Sequence, residues 1–412
     1  MSIAPPLYAR PVREAASAAA LTDDERSRIL AKSAQFAPPS AVLPDGRRDL
    51  VGLSRAELTE ILTEIGEKPF RTKQLWHWIY HQGATDFSRM SSIARPLQEK
   101  LAERFVVGRP QAATVQTSRD ETRKFLFRFR DGQEAETVYI PDRREDRGAV
   151  CISSQVGCTL SCTFCHTGTQ GLVRNLGAAE IVGQFMAARD SYGEWPSPKG
   201  ETPRLLSTIV LMGMGEPLYN YENIAKAMKI IMDGEGIGLS RRRITLSTSG
   251  VIPMMDQCGE ELGINLAISL HAVRDDLRDE LVPLNRKYPI AELIAACRRY
   301  PAASNARRIT FEYIMLRGVN DSEADARELV RLISGIPAKV NLIPFNPWPG
   351  SRFQPSTREQ LDRFAAIVMD AGFASPIRMP RGRDILAACG QLRTESQRAR
   401  RAASGAPDAQ KT

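Results

Sequence analysis

The stretch CISSQVGCTLSCTFC, residues 151–165, holds four of the seven cysteines of this 412-residue chain, and no cysteine precedes it. Cys158, Cys162 and Cys165 are separated by three and then two residues, so their thiolates can converge on one metal centre. Disulfides within so close a set are sterically poor and would leave one thiol over. Structural zinc needs four ligands, whereas an iron-sulfur cluster suits soft thiolates and can leave one iron open. The spacing therefore favours an iron-sulfur centre.

The cysteine motif follows the first of six short apolar segments that are typical of buried β-strands. Segments of helical periodicity, such as 176–190 and 322–334, separate these strands. Such alternation predicts a parallel sheet with helices outside, and six repeats suit an incomplete TIM-type (βα)6 barrel, whose functional loops follow the strand ends. The six segments are AVCISS (149–154), STIVLM (207–212), RITLST (243–248), INLAISL (264–270), ITFEYIML (309–316) and KVNLIPF (339–345).

The residues before the barrel predict two smaller parts. A helical unit begins with a capping box, in which Ser54 precedes Glu57 by three positions. Asp131-Gly132 lies between two alternating segments, which is a strong signal for a β-hairpin. Both ends of the chain lack sustained periodicity, and we expect them to lie outside the fold. The predicted division is a disordered N-terminal extension (1–49), a helical accessory domain (50–108), a β-hairpin extension (109–147), the barrel (148–392) and a basic disordered tail (393–412).

The composition, 42% hydrophobic and 25% charged, is that of a soluble globular protein. The longest apolar runs, such as IVLM at 209–212, fall far short of the roughly 18 residues that a membrane-spanning helix needs. The N-terminus has no apolar segment behind basic residues, so we expect a cytoplasmic protein without membrane contact. In such a reducing compartment, clustered thiols more often bind metal or do redox chemistry. A net charge of +8 is compatible with a polyanionic partner but does not establish one.

In the stretch from about residue 66 to residue 392, six motifs occur in order, the first of them beginning at Cys151: CISSQVGCTLSCTFC, GMGEPLYNYENI, RRRITLSTSGVIP, AISLHA, VNLIPFNPWPG and RGRDILAACGQL. Together with the CxxxCxxC spacing after the first barrel strand, they resemble the RlmN/Cfr family of radical S-adenosylmethionine RNA methyltransferases. The resemblance implies that Cys158, Cys162 and Cys165 hold a [4Fe-4S] cluster whose open iron binds S-adenosylmethionine. The residues that would bind S-adenosylmethionine, at the strand ends, are Gly215, Glu216, Ser247, Ser269, Leu270, His271 and Asn346.

The resemblance also assigns catalytic roles to Cys389, Cys151 and Glu136 and implies two S-adenosylmethionine molecules per turnover. Cys389 would take a methyl group from the first, and a 5′-deoxyadenosyl radical made from the second would remove a hydrogen atom from that methyl group. The carbon radical would add to adenine and cross-link the protein to RNA. Glu136 would then accept the proton of carbon 2, and Cys151 would resolve the cross-link by forming a disulfide with Cys389. Carbon 2 lies between two ring nitrogens and is too electron-poor for ordinary methyl transfer, which explains the radical.

The implied substrates are an adenosine in 23S ribosomal RNA and transfer RNA anticodon loops, and the implied partners include an electron donor such as a flavodoxin system. One alternative is methylation of adenosine carbon 8, the other activity of the family. Another is a non-catalytic RNA-binding protein whose three thiols hold zinc together with Cys151 or His166. Cys258, Cys297 and Met212 are expected to be packing residues.

Overall fold

Across residues 23–142, 147–198, 203–301 and 303–394, which the computed structural model describes, the central element is a nine-stranded mixed sheet. Within these ranges, six neighbouring strands are parallel, and three antiparallel strands extend the sheet at one edge. None of the helices in the same ranges combines the length and the apolar character that a membrane span requires.

The N-terminal part of the described chain is mostly helical. The predicted capping box is present: Glu57 N–H donates to the Ser54 hydroxyl at 3.3 Å, and Ser54 N–H donates to the Glu57 carboxylate at 2.7 Å. One helix of this part continues as a π-helix over His77–His81. The elements are α1 (Asp23–Ala34), β1 (Arg48–Asp49), α2 (Arg55–Glu64), α3 (Phe70–Trp76), α4 (Arg95–Arg104) and β2 (Phe105–Val106), with β1 parallel to β2.

Three antiparallel strands form the extension of the sheet: β3 (Gln111–Thr117), β4 (Arg123–Arg128) and β5 (Glu134–Asp142). The predicted turn joins β4 to β5, where Gly132 has a φ of 78°, a conformation that glycine adopts without a Cβ clash. The hairpin is therefore confirmed. The third strand, β3, was not predicted, because all seven of its side chains are exposed and show no alternation. On its other side, β5 pairs with the strand of Cys151, and Val138 lies opposite that cysteine.

The remaining strands are β6 (Arg147–Cys151), β7 (Gln155–Val156), β8 (Arg174–Asn175), β9 (Leu206–Leu211), β10 (Ile244–Thr248), β11 (Asn265–Ser269), β12 (Ile309–Met315) and β13 (Ala338–Pro344). The strand order across the large sheet is β13-β12-β11-β10-β9-β6-β5-β4-β3, and β7 pairs with β8 separately. Each of the six predicted strand segments overlaps one parallel strand. The predicted partial (βα)6 barrel is therefore confirmed.

The helices that connect the barrel strands turn an apolar face towards the sheet. In α10, Ala326, Leu329 and Ile333 recur at three- and four-residue spacing and are all buried. Ser322 begins this helix by accepting the N–H of Asp325 at 3.1 Å. The helices are α5 (Ala178–Tyr192), α6 (Tyr221–Met232), α7 (Ile252–Glu261), α8 (Asp275–Leu281), α9 (Ile290–Arg299), α10 (Glu323–Ile333) and α11 (Arg358–Asp370).

The prediction that residues 1–49 lie outside the fold is wrong for residues 23–49, because α1 packs against the barrel. Ile29 is buried, Arg26 donates to the carbonyl of Pro253 at 2.9 Å, and the Tyr288 hydroxyl donates to Glu25 at 2.7 Å. The rest of the predicted extension, residues 1–22, and the predicted tail from residue 395 lie outside the described residues.

Candidate active site

A cavity of about 160 Å³ lies at the C-terminal ends of the parallel strands, where barrel geometry predicts the functional site. A second cavity of about 80 Å³ adjoins it, and Met212, Glu312, Ile343 and Cys389 line both. The predicted site residues that line the first cavity are Cys158, Cys162, Cys165, Gly215, Glu216, Ser247, Ser269, His271 and Cys389. The structure thus gathers most of the predicted residues at one place.

The second cavity brings together the two cysteines to which the sequence assigned catalytic roles. Cys151 lines it from the end of β6, and Cys389 lies on the wall that it shares with the first cavity. Burial raises the pKa of the Cys151 thiol, and negative charge on Cys389 raises it further. Asn346, expected to bind S-adenosylmethionine, lines this cavity and not the first, and its Nδ2 donates to the Cys389 carbonyl at 3.3 Å. Cys389 is therefore the one thiol among the four residues that line both cavities.

The loop that follows β7 carries the three clustered cysteines and is held by backbone hydrogen bonds. Cys165 N–H donates to the Cys162 carbonyl at 3.1 Å, and Leu160 N–H donates to the Cys158 sulfur at 3.3 Å. The next residue, His166, donates its backbone N–H to the Gly390 carbonyl at 2.8 Å. The segment that contains Cys389 is thus anchored directly to the loop that contains the three thiols.

The three clustered thiols fit an iron-sulfur cluster. All are free and line one cavity, and burial raises the pKa of Cys158 and, to about 12, that of Cys162. Neighbouring thiolates raise both values further, so ionising the set requires compensation by a cationic centre. No group of three or more His, Cys, Asp or Glu side chains in the described ranges is close enough to hold a single metal ion. In a cubane each thiolate binds a different iron, so the thiols need not meet at one point.

The two residues considered as a fourth zinc ligand lie elsewhere. Cys151 lines the second cavity and not the first. The His166 ring stacks on Trp348 with 4.7 Å between ring centroids, and its Nε2 lies 3.2 Å from a guanidinium nitrogen of Arg393. Neither residue lines the cavity of the three thiols, so the arrangement does not support the zinc alternative.

Gly215 and Glu216 form a tight turn after β9, on the wall of the first cavity. Gly215 has a φ of 102°, and a Cβ there would lie 2.6 Å from the Gln155 Cβ, so only glycine fits. The Glu216 carboxylate accepts the N–H of Ser249 at 2.9 Å and that of Leu218 at 3.2 Å. Burial raises the pKa of Glu216 to about 7. A buried carboxylate that faces a cavity suits the ammonium group of a ligand.

Ser247, Ser269 and His271 continue the wall at the ends of β10 and β11. The two serine oxygens lie 3.4 Å apart. His271 has a φ of 62°, an unusual left-handed conformation for a non-glycine residue, and its Nδ1 accepts the N–H of Ile314 at 3.1 Å. Burial lowers its pKa to about 3, so the ring is neutral and Nε2 carries the proton. Together these groups supply neutral hydrogen-bonding partners for a ligand in the cavity.

Glu136, the predicted proton acceptor, lies on β5 close to the second cavity but lines neither cavity. It precedes Val138, a residue of the second cavity, by two positions and therefore shares its face of the strand. Its carboxylate is 2.9 Å from Lys124 Nζ and accepts the backbone N–H of Arg393 at 2.8 Å. Burial raises the pKa of Glu136, and the positive charge of Lys124 opposes this effect.

Besides Asn346 and Glu136, four residues differ from their sequence-based expectation or were missed. Leu270, expected to bind S-adenosylmethionine, lines neither cavity, and its side chain is fully buried. Met212, expected to be core, lines both cavities. Glu312 also lines both and was missed, although an acid within the apolar strand ITFEYIM was a visible signal. Lys124 was missed because its partner is twelve positions away on the next strand. Cys258 and Cys297 are fully buried, as packing residues would be.

Two family descriptions match parts of the sequence. Residues 48–107 match "Ribosomal RNA large subunit methyltransferase N-terminal domain", and residues 199–330 match "Radical SAM superfamily". Curated proteins named dual-specificity RNA methyltransferase RlmN are similar over most of the chain. The protein from Gluconobacter oxydans is 84% identical over 380 residues, which cover 92% of this chain and 93% of that protein. The protein from Granulibacter bethesdensis is 80% identical over 381 residues, which cover 92% and 96%.

A solved structure also resembles this fold. It is a radical SAM methyltransferase from Sphaerobacter thermophilus, with a TM-score of 0.77 and 45% sequence identity. The match covers 84% of this chain and 99% of that chain. The similarity therefore includes most of the barrel and the parts that precede it.

Proposed function

This chain belongs to the RlmN family of radical S-adenosylmethionine RNA methyltransferases, and from this we propose that it methylates carbon 2 of an adenosine in 23S ribosomal RNA and in transfer RNA anticodon loops. The superfamily implies S-adenosylmethionine and a [4Fe-4S] cluster as cofactors. The observation that carries the proposal is the place of Cys389, which lines both the cavity of the three thiols and the cavity of Cys151. A thiol in that position can receive a group in one cavity and deliver it in the other.

In this proposal, Cys158, Cys162 and Cys165 hold the cluster, and the first cavity holds S-adenosylmethionine. When bound, the cluster supplies the electron that cleaves S-adenosylmethionine to a 5′-deoxyadenosyl radical. The carboxylate of Glu216 and the neutral ring of His271 line the space that the ligand would occupy. Their burial excludes water, which strengthens each hydrogen bond to the ligand.

Cys389 carries the methyl group in this proposal. Its sulfur takes a methyl group from one S-adenosylmethionine, and that methyl group then loses a hydrogen atom to the radical made from a second molecule. The resulting carbon radical forms a bond to carbon 2 of adenine. Cys389 is exposed, and Asn346 and His166 hold its segment through the carbonyls of Cys389 and Gly390. The residue therefore borders both cavities while its backbone is fixed.

Glu136 and Cys151 complete the reaction in this proposal. One electron of the adduct would return to the cluster that was oxidised when it cleaved S-adenosylmethionine, and the Glu136 carboxylate takes the proton from carbon 2. The Cys151 thiolate then forms a bond to the Cys389 sulfur, and the sulfur-carbon bond breaks with its electron pair moving to carbon, which gains a proton and becomes the methyl group. The two thiols end oxidised as a disulfide, so a dithiol reductant must restore them before the next turnover. The electron for the cluster would come from a donor such as a flavodoxin system.

We place the RNA-binding surface partly on the helical accessory domain, residues 50–108. Phe70 at the start of α3 is 54% exposed, and the Arg71 guanidinium lies 4.7 Å from the centre of its ring. An exposed aromatic ring beside a cation suits an unpaired base and its phosphate. A splayed adenosine is also what access to a barrel cavity requires.

Nucleoside analysis by mass spectrometry tests the proposed activity. Ribosomal RNA and transfer RNA from cells that lack this protein, and from the same cells complemented with it, are digested and compared. We expect 2-methyladenosine in both RNA classes only after complementation. 8-Methyladenosine as the sole product would overturn the proposal in favour of the other activity of the family.

A further inference from the structure

Arg278 on α8 is a fully buried cation whose guanidinium binds only neutral groups. Its Nε donates to the Leu270 carbonyl at 3.0 Å, and its Nη2 donates to the carbonyls of Ser249 at 2.7 Å and Ser269 at 3.1 Å. Its Nη1 donates to Asn285 Oδ1 at 2.9 Å. Burial lowers its pKa only to about 10, so it is charged at neutral pH. Within the described ranges, no carboxylate forms an ion pair with it.

A buried charge without a direct counter-ion is costly, so its presence calls for a compensating negative group. The carboxylates of Asp275 and Asp279 reach Arg278 only through Asn285, whose Nδ2 donates to both. Each acid therefore lies one residue away and already accepts another hydrogen bond. These two acids balance the charge of the guanidinium only indirectly, so a closer negative group would stabilise it further.

Arg278 is connected to the cavity of the three thiols through the backbone. Ser249 and Ser269, whose carbonyls accept hydrogen bonds from Arg278, line the first cavity together with Cys162. The last residue of α8, Leu281, accepts the backbone N–H of Thr163, which directly follows Cys162. Helix α8 is thus fixed to the loop at Thr163, and its buried cation binds the backbone of two residues of the cavity that Cys162 lines.

Direct binding of S-adenosylmethionine does not explain Arg278. It is not among the residues that line either cavity, and four of its five N–H groups are already used on protein acceptors. It therefore acts through other residues: on Cys162 through its charge, and on Ser249 and Ser269 through their carbonyls.

We propose that Arg278 is the internal counter-charge of the iron-sulfur site and that it raises the reduction potential of the cluster. This inference rests on the assignment of Cys158, Cys162 and Cys165 as cluster ligands in the proposed function. Three thiolates bring negative charge into a buried site, and reduction adds one more electron. A fixed cation nearby in a medium of low dielectric constant favours the reduced state.

The test is a redox titration of the reconstituted full-length protein, followed by electron paramagnetic resonance of the reduced cluster. We expect Arg278→Gln to lower the ratio of reduced to oxidised cluster at a fixed potential at least tenfold, a shift of about 59 mV for one electron. Arg278→Lys keeps the charge and should stay close to the unmodified protein. Arg189→Gln is the matched control, because Arg189 is equally buried but ion-paired with Glu194.

Two results would overturn the inference. One is an unchanged potential in Arg278→Gln at full iron content. The other is that Arg278→Lys lowers the reduction potential, or the amount of bound iron, as much as Arg278→Gln does. The effect would then come from the lost carbonyl contacts and not from the lost charge. The titration uses no RNA, so its outcome is independent of the methylated position. Production of 8-methyladenosine with the expected potential shift would refute the proposed function and leave this inference intact.

Discussion

At the scale of single residues, Cys151 and Cys389 are expected to give opposite results when changed. Cys151→Ala should accumulate protein cross-linked to RNA, because the adduct forms but no thiol is present to release it. Cys389→Ala should give neither cross-link nor product, because no sulfur accepts the methyl group. Denaturing electrophoresis with labelled RNA measures the cross-link, and Cys297→Ala is the control for a buried cysteine outside both cavities. Full activity of Cys389→Ala would contradict the mechanism.

Lys124 is predicted to keep Glu136 able to accept a proton. Burial raises the pKa of Glu136 and Lys124 opposes this rise, so Lys124→Met should raise that pKa further. A protonated Glu136 cannot take the proton of carbon 2, so activity should fall at neutral pH and recover as the pH rises. The rate of product formation across this pH range measures the effect. Lys124→Arg retains the positive charge and should keep the pH profile of the unmodified protein. Identical pH profiles for Lys124→Met and Lys124→Arg would refute the effect of this charge on Glu136.

The sequence predicted the residues that act through local spacing, but not those that act through distant contacts. The three clustered cysteines are recognisable because the loop that carries them is eight residues long from Cys158 to Cys165. The hydrogen bond between the Glu136 carboxylate and the backbone N–H of Arg393 joins residues 257 positions apart, so no local sequence pattern predicts it. In the sequence, Arg278 likewise resembles any exposed arginine of a helix, and only its contacts with three carbonyls in the structure distinguish it.

At the scale of elements, α1 is connected to the three-thiol loop by a series of hydrogen bonds. Asn175 on β8 donates to the Ser33 carbonyl at 3.1 Å, and its Oδ1 accepts from Gln155 Nε2 at 2.8 Å. The side-chain oxygen of Gln155, Oε1, in turn accepts the N–H of Thr159 at 3.1 Å and that of Glu216 at 3.0 Å. The end of α1 therefore supports the residue that follows Cys158.

Removal of residues 1–36 is expected to accelerate loss of the cluster, because Asn175 and Gln155 would lose the support of α1. Iron release to a chelator, followed by the visible absorbance of the cluster, measures the rate. Removal of residues 1–22 leaves α1 in place and should not change that rate. Equal rates for the two truncations would show that α1 has no such effect.

Elements with a strong internal signal were predicted, and elements stabilised mainly by tertiary contacts were missed. The six parallel strands are short apolar runs because both faces of the sheet are covered. Helix α1 was not predicted, because its sequence DDERSRILAKSA is strongly polar and has only a narrow apolar face. Its helical structure is stabilised mainly by packing against the barrel. Strand β3 is exposed along its whole length and exists because β4 pairs with it.

At the scale of the whole molecule, the net charge of +8 and the accessory domain predict RNA binding with two separable contributions. Affinity should fall steeply between roughly 50 and 200 mM salt, because phosphate contacts release counter-ions. Phe70→Ala should weaken binding by about 1–3 kcal/mol without changing the salt dependence, because stacking involves no counter-ion release. Fluorescence anisotropy with an anticodon stem-loop measures both quantities. Met369→Ala removes an exposed apolar side chain on α11 and is the matched control.

A changed salt dependence in Phe70→Ala would mean that the ring positions Arg71 rather than a base. An affinity equal to that of Met369→Ala would show that this surface of the accessory domain does not contact RNA. Both outcomes concern only the RNA-binding surface and leave the catalytic assignment untouched.

The anchoring of the Cys389 segment to the three-thiol loop has a consequence for the order of events during synthesis. His166 N–H holds the Gly390 carbonyl, the Thr167 hydroxyl holds the Leu392 carbonyl at 2.7 Å, and Gln170 binds Thr394. A ribosome delivers residues 390–394 after all six parallel strands. The barrel can therefore form around a loop that is not yet covered, which leaves an interval for iron and sulfide delivery.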